Sequence, residues 1–282
     1  MTSHPALEHD WLGACRRAAE GLRAVLREHP TSAERIIETG VRGEGGDRTL
    51  VIDALAEDRV FTELQTLHDA GARFTAVSEE RGTVDFGGGD TLVVIDPIDG
   101  SLNAKRGLPH HALSVAVSTG PIMSDVIFGF VYDLGPGEEW RATLGEGAYL
   151  NDARIAHPPP ERKTTDGRFE LLAVESADPR WLALASDDLV AATRRIRAMG
   201  SIAVSMCQVA ATRVDAMASL ARTRAVDCAA SQLIVRESGG HVAFAGCPDG
   251  PLGAPLDLVP HYPVLAARTP ESLERLMALP AV

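Results

Sequence analysis

Residues 91–103 read TLVVIDPIDGSLN and combine the pattern of a buried strand with a pair of carboxylates. The apolar run at residues 92–95 predicts a short buried strand. Because a residue before proline favours extended geometry, Asp96 should end that strand. Asp99-Gly100 indicates a turn, and Ser101 is a good start for a short helix. Two carboxylates three residues apart, at a strand end and beside a helix start, predict a site for a hard metal ion and a phosphate group.

The composition of the chain limits its class. With 282 residues, 45% of them hydrophobic and 23% charged, it is long enough for one large domain or two closely packed ones. The formal net charge of −12 argues against nucleic acid or an anionic membrane as the main partner. An acidic protein still handles a phosphorylated substrate if metal ions supply the local positive charge. The first residues lack the features of a signal peptide, so we expect a cytoplasmic protein.

The periodicity of apolar residues predicts two regions with different organisation. Helices are predicted at residues 6–27, from Thr31, and at 49–68, 181–191, 202–210 and 227–238. Strands are predicted at 73–77, 91–95, 112–118, 126–132, 139–143, 148–150, 171–174, 195–198, 241–244 and 263–267. Short turns between neighbouring strands favour an antiparallel meander in the first half, and strand–helix alternation indicates a second, helix-covered sheet.

A proline-rich segment divides the two regions. Residues 157–167 read HPPPERKTTDG and are the best linker candidate. We therefore expect an N-terminal α+β sub-domain at 1–156, which carries the metal site, and a C-terminal α/β sub-domain at 157–282, which completes the active site. The glycine-rich residues 40–47 lack both the dinucleotide-binding pattern and the phosphate-loop lysine, and are weak evidence for nucleotide binding.

Several acidic residues are predicted to lie at strand ends, at helix starts or on the long helix: Asp53, Glu79, Asp96, Asp99 and Asp227. Carboxylates that converge cannot all be ionised without cations, because like charges raise each other's pKa. Mg²⁺ suits such a cluster, since it is a hard ion that binds oxygen ligands. Two such ions some ~4 Å apart clamp the attacking and leaving oxygens of a phosphoryl transfer. The backbone amides of Gly100 and Ser101 would then hold phosphate oxygens.

The ordered motifs around these acids resemble the inositol monophosphatase superfamily of metal-dependent sugar phosphatases. The family motif Asp-Pro-Ile/Leu-Asp-Gly-Thr/Ser corresponds to DPIDGS at residues 96–101. The upstream Glu-Glu element corresponds to Ser78-Glu79-Glu80, and the Trp-Asp-x-Ala-Ala/Gly element to VDCAA at residues 226–230. With residues 47–53 and the Gly200-Ser201 stretch, the resemblance covers about residues 10–268. It implies a layered αβαβα sandwich, the sugar phosphatase fold, within the α+β and α/β classes.

The resemblance also implies a role for each matching residue. The first Mg²⁺ would be held by Glu79, Asp96 and the carbonyl of Ile98; the second by Asp96, Asp99 and Asp227; a third, weaker ion would share Glu79. A water would attack phosphorus after losing its proton through the Ser101 hydroxyl, which is paired with Asp53. Glu79, Ser101 and Asp53 are thus the predicted catalytic residues, and Asp47 has a supporting role.

The substrate-binding residues are predicted from the same resemblance. Gly100, Ser101, Gly200 and Ser201 would contact the substrate. Residues 52–57, 101–109 and 129–133 look like the archaeal-type branch, which has both fructose-1,6-bisphosphatase and inositol monophosphatase activity. A bisphosphate needs cations for its non-reacting phosphate, and the best candidates are Arg222 and Arg224, with Arg197, Lys105 and Arg106 behind them.

Three positions depart from the family pattern. Ser101 replaces the usual threonine and keeps its hydroxyl, and Val226 replaces a tryptophan. Leu220 stands where inositol-specific members carry a glutamate that contacts inositol hydroxyls. Since leucine cannot accept those hydrogen bonds, inositol phosphate becomes the second choice of substrate.

These observations predict a Mg²⁺-dependent phosphatase of small phosphate monoesters, with fructose-1,6-bisphosphate first and inositol monophosphate second. Adenosine 3′,5′-bisphosphate and histidinol phosphate are alternative substrates, although 5% aromatic residues offer a purine few stacking faces. A non-catalytic regulatory protein on this fold is another alternative; it predicts eroded acids, whereas every metal-binding position is intact. Relatives are commonly dimers, so we expect a homodimer.

Overall fold

The computed structural model describes residues 4–42, 48–156, 159–277 and 279. Asp47, most of the glycine-rich segment and the start of the predicted linker lie outside these residues. The described helices are α1 (Trp11–Glu28), α2 (Ser32–Arg35), α3 (Val51–Asp69), α4 (Ser101–Arg106), α5 (Pro179–Leu184), α6 (Ser186–Ala192), α7 (Ile202–Ala210), α8 (Ala225–Glu237) and α9 (Pro270–Leu276), with 3₁₀ turns at Pro5–Leu7 and Met123–Asp125.

The described strands form two main sheets and one hairpin. They are β1 (Glu38–Arg42), β2 (Arg48–Leu50), β3 (Phe74–Ser78), β4 (Gly82–Asp99), β5 (Ala112–Ser118), β6 (Val126–Asp133), β7 (Glu138–Thr143), β8 (Gly147–Leu150), β9 (Ala153–Arg154), β10 (Leu172–Glu175), β11 (Ile196–Arg197), β12 (Ala216–Ser219), β13 (His241–Phe244) and β14 (Val264–Ala267). The hairpin is β1-β2, and its two strands are antiparallel.

The larger sheet has seven strands in the order β3-β4-β5-β6-β7-β8-β9. From β4 to β9 every neighbouring pair is antiparallel, as predicted for the first half of the chain. Strand β3 runs parallel to the second half of β4, with Ser78 opposite Ile95. Because parallel strands end at the same edge of a sheet, the turn after β3 lies beside the end of β4. That edge carries most of the predicted metal ligands.

The smaller sheet has the order β11-β10-β12-β14-β13, with β10 parallel to β11 and β12 and the other pairs antiparallel. Its central strand β12 was not predicted. The sequence Ala-Met-Ala-Ser has no β-branched residue, so its strand propensity is low, and burial of all four residues decides its structure. Helix α9 was also missed, and the helix predicted at residues 181–191 is divided into α5 and α6.

The layers pack on one another through three clusters of buried hydrophobic side chains. Helices α1 and α3 pack on one face of the large sheet, where Leu22 and Phe61 join Phe74 and Phe130. The other face meets α7, α8 and the small sheet in one shared cluster, which includes Trp140. Helices α5, α6 and α9 cover the outer face of the small sheet. The predicted five-layer αβαβα arrangement is confirmed.

The amphipathic pattern of α1 explains its place in this arrangement. Trp11, Cys15, Ala18, Leu22 and Val25 recur at helical spacing and are all buried. The helix begins at the Asp10 carboxylate, which accepts a hydrogen bond from the Gly13 amide. The division of the chain at residue 157 stays a prediction, because the cluster that contains α7 and α8 is shared by both sheets. None of the helices in the described ranges is long and apolar enough to cross a membrane.

Candidate active site

Three of the predicted metal ligands converge at the end of β4. Asp96 and Asp99 are among the last four residues of that strand, and Asp227 lies in the first turn of α8. Each offers a carboxylate oxygen that is within 4.8 Å of the others, and all three side chains are buried. Such a cluster of hard oxygen donors fits Mg²⁺, which binds carboxylates together with water and phosphate oxygens.

Burial and mutual repulsion make the charged form of this cluster costly. Burial, followed by the charges of Glu79, Asp99 and Asp227, raises the pKa of Asp96 well above its usual range. Burial and then Asp227 raise the pKa of Asp99 to about 8. Burial also raises the pKa of Glu79, against the opposing effect of Arg224. Without added positive charge the carboxylates therefore favour protonation, and this supports the fit of the site to divalent cations.

Asp99 is held in place by the start of α7. Its Oδ2 accepts hydrogen bonds from the Ser201 hydroxyl at 2.6 Å and from the Ala203 amide at 2.7 Å. The Ser201 hydroxyl also accepts from the Val204 amide and caps α7. Ser201 is 1% exposed, and its side chain positions Asp99; the substrate contact expected of Ser201 stays a prediction.

Beside the acidic cluster, Gly100 and Gly200 lie so close to neighbouring atoms that a side chain would not fit. A Cβ on Gly100, which has φ of +86°, would meet the carbonyl oxygen of Gly200 at 2.8 Å. A Cβ on Gly200, with φ of +81°, would meet Asn103 Nδ2 at 2.9 Å. Asn103 donates to the carbonyls of His110 and Met199 and so ties α4 to the loop before α7. Gly100 is the N-cap of α4, and Ser101 is its first helical residue rather than its cap.

The predicted catalytic pair lies in a small cavity next to the cluster. This cavity is lined by Asp53, Glu79, Glu80, Asp96, Pro97, Ile98, Ser101 and Lys105. Asp53 Oδ2 accepts a hydrogen bond from the Leu50 amide at 3.3 Å. Its Oδ1 is buried and has no hydrogen-bond partner among the described residues, so it is an available acceptor. Burial, with a contribution from Glu80, raises the pKa of Asp53 to about 7.

The two arginines predicted for the second phosphate differ in placement. Arg222 is exposed. Arg224 is directed into the acidic site, where its Nη1 donates to Glu79 Oε1 at 2.6 Å and its Nη2 to Asp227 Oδ1 at 3.2 Å. It also lines a cavity of about 360 Å³ that continues from Asp99 and Asp227.

Leu220 does not face this cavity. Its side chain is 1% exposed and belongs to the buried cluster on the outer side of the small sheet. The Leu220 side chain is therefore directed away from this cavity. The cause is its position directly after β12, whose backbone directs the side chain into the core.

Two buried glutamates support the site and were not predicted. Glu57 accepts the Ser78 hydroxyl at 2.5 Å and the Arg81 amide at 3.2 Å, which fixes the turn that carries Glu79. Glu175 accepts the amides of Met199 and Gly200 at 2.9 and 3.0 Å. Glu57 lies four residues after Asp53, one helical turn away, and this spacing is a signal that could have identified it.

Comparisons with known proteins agree with this geometry. A profile of the inositol monophosphatase family matches residues 10–279. The chain is 34% identical over 247 residues to the fructose-1,6-bisphosphatase/inositol-1-monophosphatase of Methanothermobacter thermautotrophicus, a match that covers 82% of this chain and 83% of that protein. It is 33% identical over 171 residues to the Nus factor SuhB of Haemophilus influenzae, covering 60% and 62%.

The fold matches solved structures as well. A crystal structure of an inositol monophosphatase-fructose 1,6-bisphosphatase superposes with a TM-score of 0.79 at 24% identity, covering 95% of this chain and 98% of that one. The family and the fold predicted from the sequence motifs are thereby confirmed. The protein belongs to the inositol monophosphatase family and is a metal-dependent phosphoric monoester hydrolase.

Proposed function

We propose that the protein hydrolyses phosphate monoesters of small sugars or polyols, with fructose-1,6-bisphosphate as the first substrate and inositol monophosphate as the second. The observation that carries this proposal is the convergence of Asp96, Asp99 and Asp227, with oxygens within 4.8 Å of one another. The name of the Methanothermobacter relative supports both substrates.

The proposed metal ligands are Glu79, Asp96, the Ile98 carbonyl, Asp99 and Asp227, which together would hold two or three Mg²⁺. When bound, the ions would neutralise phosphate oxygens and favour an ionised water near neutral pH. Two features of the chain support this set. The side chains are largely buried, so they meet an ion at low dielectric, and Asp99 is oriented by Ser201 and Ala203.

The proposed proton acceptor is Asp53, acting with the hydroxyl of Ser101. Both residues line one cavity with Glu79 and Asp96. The Oδ1 of Asp53, which no described residue contacts by a hydrogen bond, can accept a proton, and a pKa near 7 suits a general base at neutral pH. Ser101 has a hydroxyl that both donates and accepts, so it can relay a proton to Asp53.

The proposed substrate contacts are the backbones of Gly100, Ser101, Gly200 and Ser201 and the side chains of Arg222 and Arg224. The cavity of about 360 Å³ has Gly200 and Arg224 in its wall. This volume is in the range of small-ligand pockets, which begins at about 300 Å³. Arginine forms bidentate hydrogen bonds with phosphate, which suits the second phosphate of a bisphosphate.

Phosphate release from a panel of esters tests the proposal. The wild type should release phosphate from fructose-1,6-bisphosphate, and more slowly from inositol monophosphate, only when Mg²⁺ is present. Asp96→Asn should fold, as judged by circular dichroism, but lose nearly all activity because it weakens a shared metal ligand. No release from any sugar or polyol phosphate, or full activity in Asp96→Asn, would contradict the proposal.

Two alternatives are distinguishable in the same panel. Preferred release from adenosine 3′,5′-bisphosphate or histidinol phosphate would change the substrate but keep the chemistry. The likeness to a protein named as a Nus factor favours a regulatory binding role as a second candidate. A purely regulatory protein would show no turnover with any ester, and Asp96→Asn would keep its binding to partners.

We also propose a cytoplasmic homodimer, by analogy with the family. Light scattering of the purified protein would give a mass near twice 29.9 kDa if the proposal is right. A mass near 29.9 kDa at all concentrations would exclude a stable dimer.

A further inference from the structure

The side chain of Arg224 contacts carboxylates that the proposed site assigns to different metal ions. Its Nη1 lies 2.6 Å from Glu79 Oε1, and Glu79 is proposed for the first ion. Its Nη2 lies 3.2 Å from Asp227 Oδ1, and Asp227 is proposed for the second ion. One guanidinium therefore reaches a ligand of each proposed ion.

The contact involves both oxygens of Asp227. Besides the guanidinium contact at Oδ1, the backbone amide of Arg224 donates to Oδ2 at 3.2 Å. The side chains of Arg224, Glu79 and Asp227 are only 21%, 17% and 11% exposed, so water screens these charges weakly. Within the described ranges, Arg224 is the only basic residue in an ion pair with Glu79 or with the three clustered aspartates.

A metal ion and this guanidinium compete for the same two carboxylates, because both carry positive charge. Arginine stays charged at all relevant pH values and is no metal ligand. A divalent cation bound by Glu79 and Asp227 would repel the guanidinium across a poorly screened site. This repulsion favours a position of Arg224 away from at least one of the two carboxylates when they bind metal.

The adjoining cavity offers the guanidinium another position. Arg224 already lines this space of about 360 Å³, together with Glu175, Ser176 and Met199. Rotation about the bonds of its side chain needs no backbone movement. In the cavity its planar fork could bind an anionic group of a substrate bidentately.

We propose that Arg224 exchanges with the metal. In the metal-free protein it neutralises Glu79 and Asp227, and in the metal-bound protein it turns into the cavity and binds the non-reacting anionic group of the substrate. The inference rests on the proposed ligand set and adds a competition between Arg224 and the metal for two of its ligands. Loss of Arg224 thus makes metal binding tighter, because a competing cation is removed.

Calorimetric titration with Mg²⁺ alone, without substrate, tests the exchange. Arg224→Gln should bind Mg²⁺ about tenfold more tightly than the wild type, equivalent to about 1.4 kcal/mol. Arg222→Gln is the matched control, since it removes the same charge at an exposed position two residues before Arg224. Its Mg²⁺ affinity should stay within about twofold of the wild type, because exposed charges are well screened. Unchanged or weaker Mg²⁺ binding in Arg224→Gln would overturn the proposal.

A measurement on the wild type covers the case in which Arg224→Gln does not fold. Phenylglyoxal modifies accessible guanidinium groups, and mass spectrometry with fragmentation locates the modified arginine. Modification of Arg224 should increase on addition of Mg²⁺, with Arg222 as the internal reference. Equal or reduced modification of Arg224 in Mg²⁺ would contradict the exchange.

The outcomes separate this inference from the proposed function, because neither measurement contains a phosphate ester. If no ester is hydrolysed but Arg224→Gln tightens Mg²⁺ binding, the proposed substrates are wrong and the exchange stands. If esters are hydrolysed and Arg224→Gln binds Mg²⁺ as the wild type does, the exchange is wrong and the proposed function stands. A purely structural role at the start of α8 predicts weaker Mg²⁺ binding in Arg224→Gln, and so also contradicts it.

Discussion

At the scale of single residues, Asp53 combines burial, an oxygen with no partner in the described part of the chain, and a raised pKa in one side chain. The sequence predicted its role from a resemblance, and its position beside Ser101 gives that role a physical basis. Its pKa of about 7 arises mainly from burial. A carboxyl in such an environment loses its proton near neutral pH and regains it easily, as a general base requires.

Substitution of Asp53 should therefore separate catalysis from binding. Asp53→Asn is expected to reduce kcat by about 10²- to 10⁴-fold, the usual contribution of a general base. Mg²⁺ affinity, measured by calorimetry, should change much less than in Asp96→Asn. A kcat within a few-fold of the wild type would show that the proton is accepted elsewhere.

Gly200 is a second single position at which a substitution should affect stability. It has φ of +81°, and a Cβ would meet Asn103 Nδ2 at 2.9 Å. Gly167 has φ of +80°, and no described residue has an atom within 4 Å of its Cβ position, so it is a control for the backbone strain alone. Gly167→Ala should cost about 1 kcal/mol, because a left-handed alanine is strained.

Gly200→Ala should cost more, about 2–3 kcal/mol, since strain is combined with displacement of Asn103. It should also lower kcat, because Asn103 ties α4, which carries Ser101, to the loop before α7. Chemical denaturation of both variants measures the difference. Equal destabilisation by the two substitutions would mean that the close approach of residue 200 to Asn103 does not contribute to the free energy of unfolding.

At the scale of elements, helix α7 links the two halves of the site. Its N-cap Ser201 bonds both the helix and Asp99, so one hydroxyl stabilises an element and orients a proposed ligand. The sequence predicted α7 with its observed bounds from apolar periodicity. It could not predict the bond to Asp99, because the two residues are 102 positions apart in the chain.

Ser201→Ala should show both effects. The lost cap should cost about 1 kcal/mol of stability. Mg²⁺ affinity should fall about tenfold, as is typical when a partner that orients a ligand is removed. Thr31→Ala, which removes the cap of helix α2 and leaves Asp99 untouched, should reduce stability without changing Mg²⁺ affinity. Normal affinity in Ser201→Ala would refute the orienting role.

At the scale of the whole molecule, the acidic cluster makes stability depend on pH and metal together. The pKa values of Asp53 and Asp99 are raised from 3.8 to about 7 and about 8. Between about pH 4 and pH 8 the metal-free native state therefore holds more protons than the unfolded state. Its free energy of unfolding must fall as the pH rises through that window.

Thermal denaturation at several pH values checks this dependence. The Tm of the metal-free protein should fall from pH 5 to pH 8, and saturating Mg²⁺ should restore more stability at pH 8 than at pH 5. Asp99→Asn should show a smaller fall, because one of the titrating groups is gone. An equally steep fall in Asp99→Asn would assign the dependence to other groups.

The sequence by itself determined the motifs, most helices, the order of the meander and the identity of the acids. These features follow from local propensity, from periodicity and from residue types that only a few chemistries require. Residues 96–101 alone indicated a metal and phosphate site, because strand, proline and turn signals act over short distances.

Only the tertiary structure decided which residues meet. The low propensity of Ala216–Ser219 was overridden by burial between two neighbouring strands, and Leu220 was thereby directed into the core. Glu175, Ser201 and Arg224 acquired their roles from contacts with residues 24 to 145 positions away. Such contacts depend on how the layers pack, and no local pattern encodes that packing.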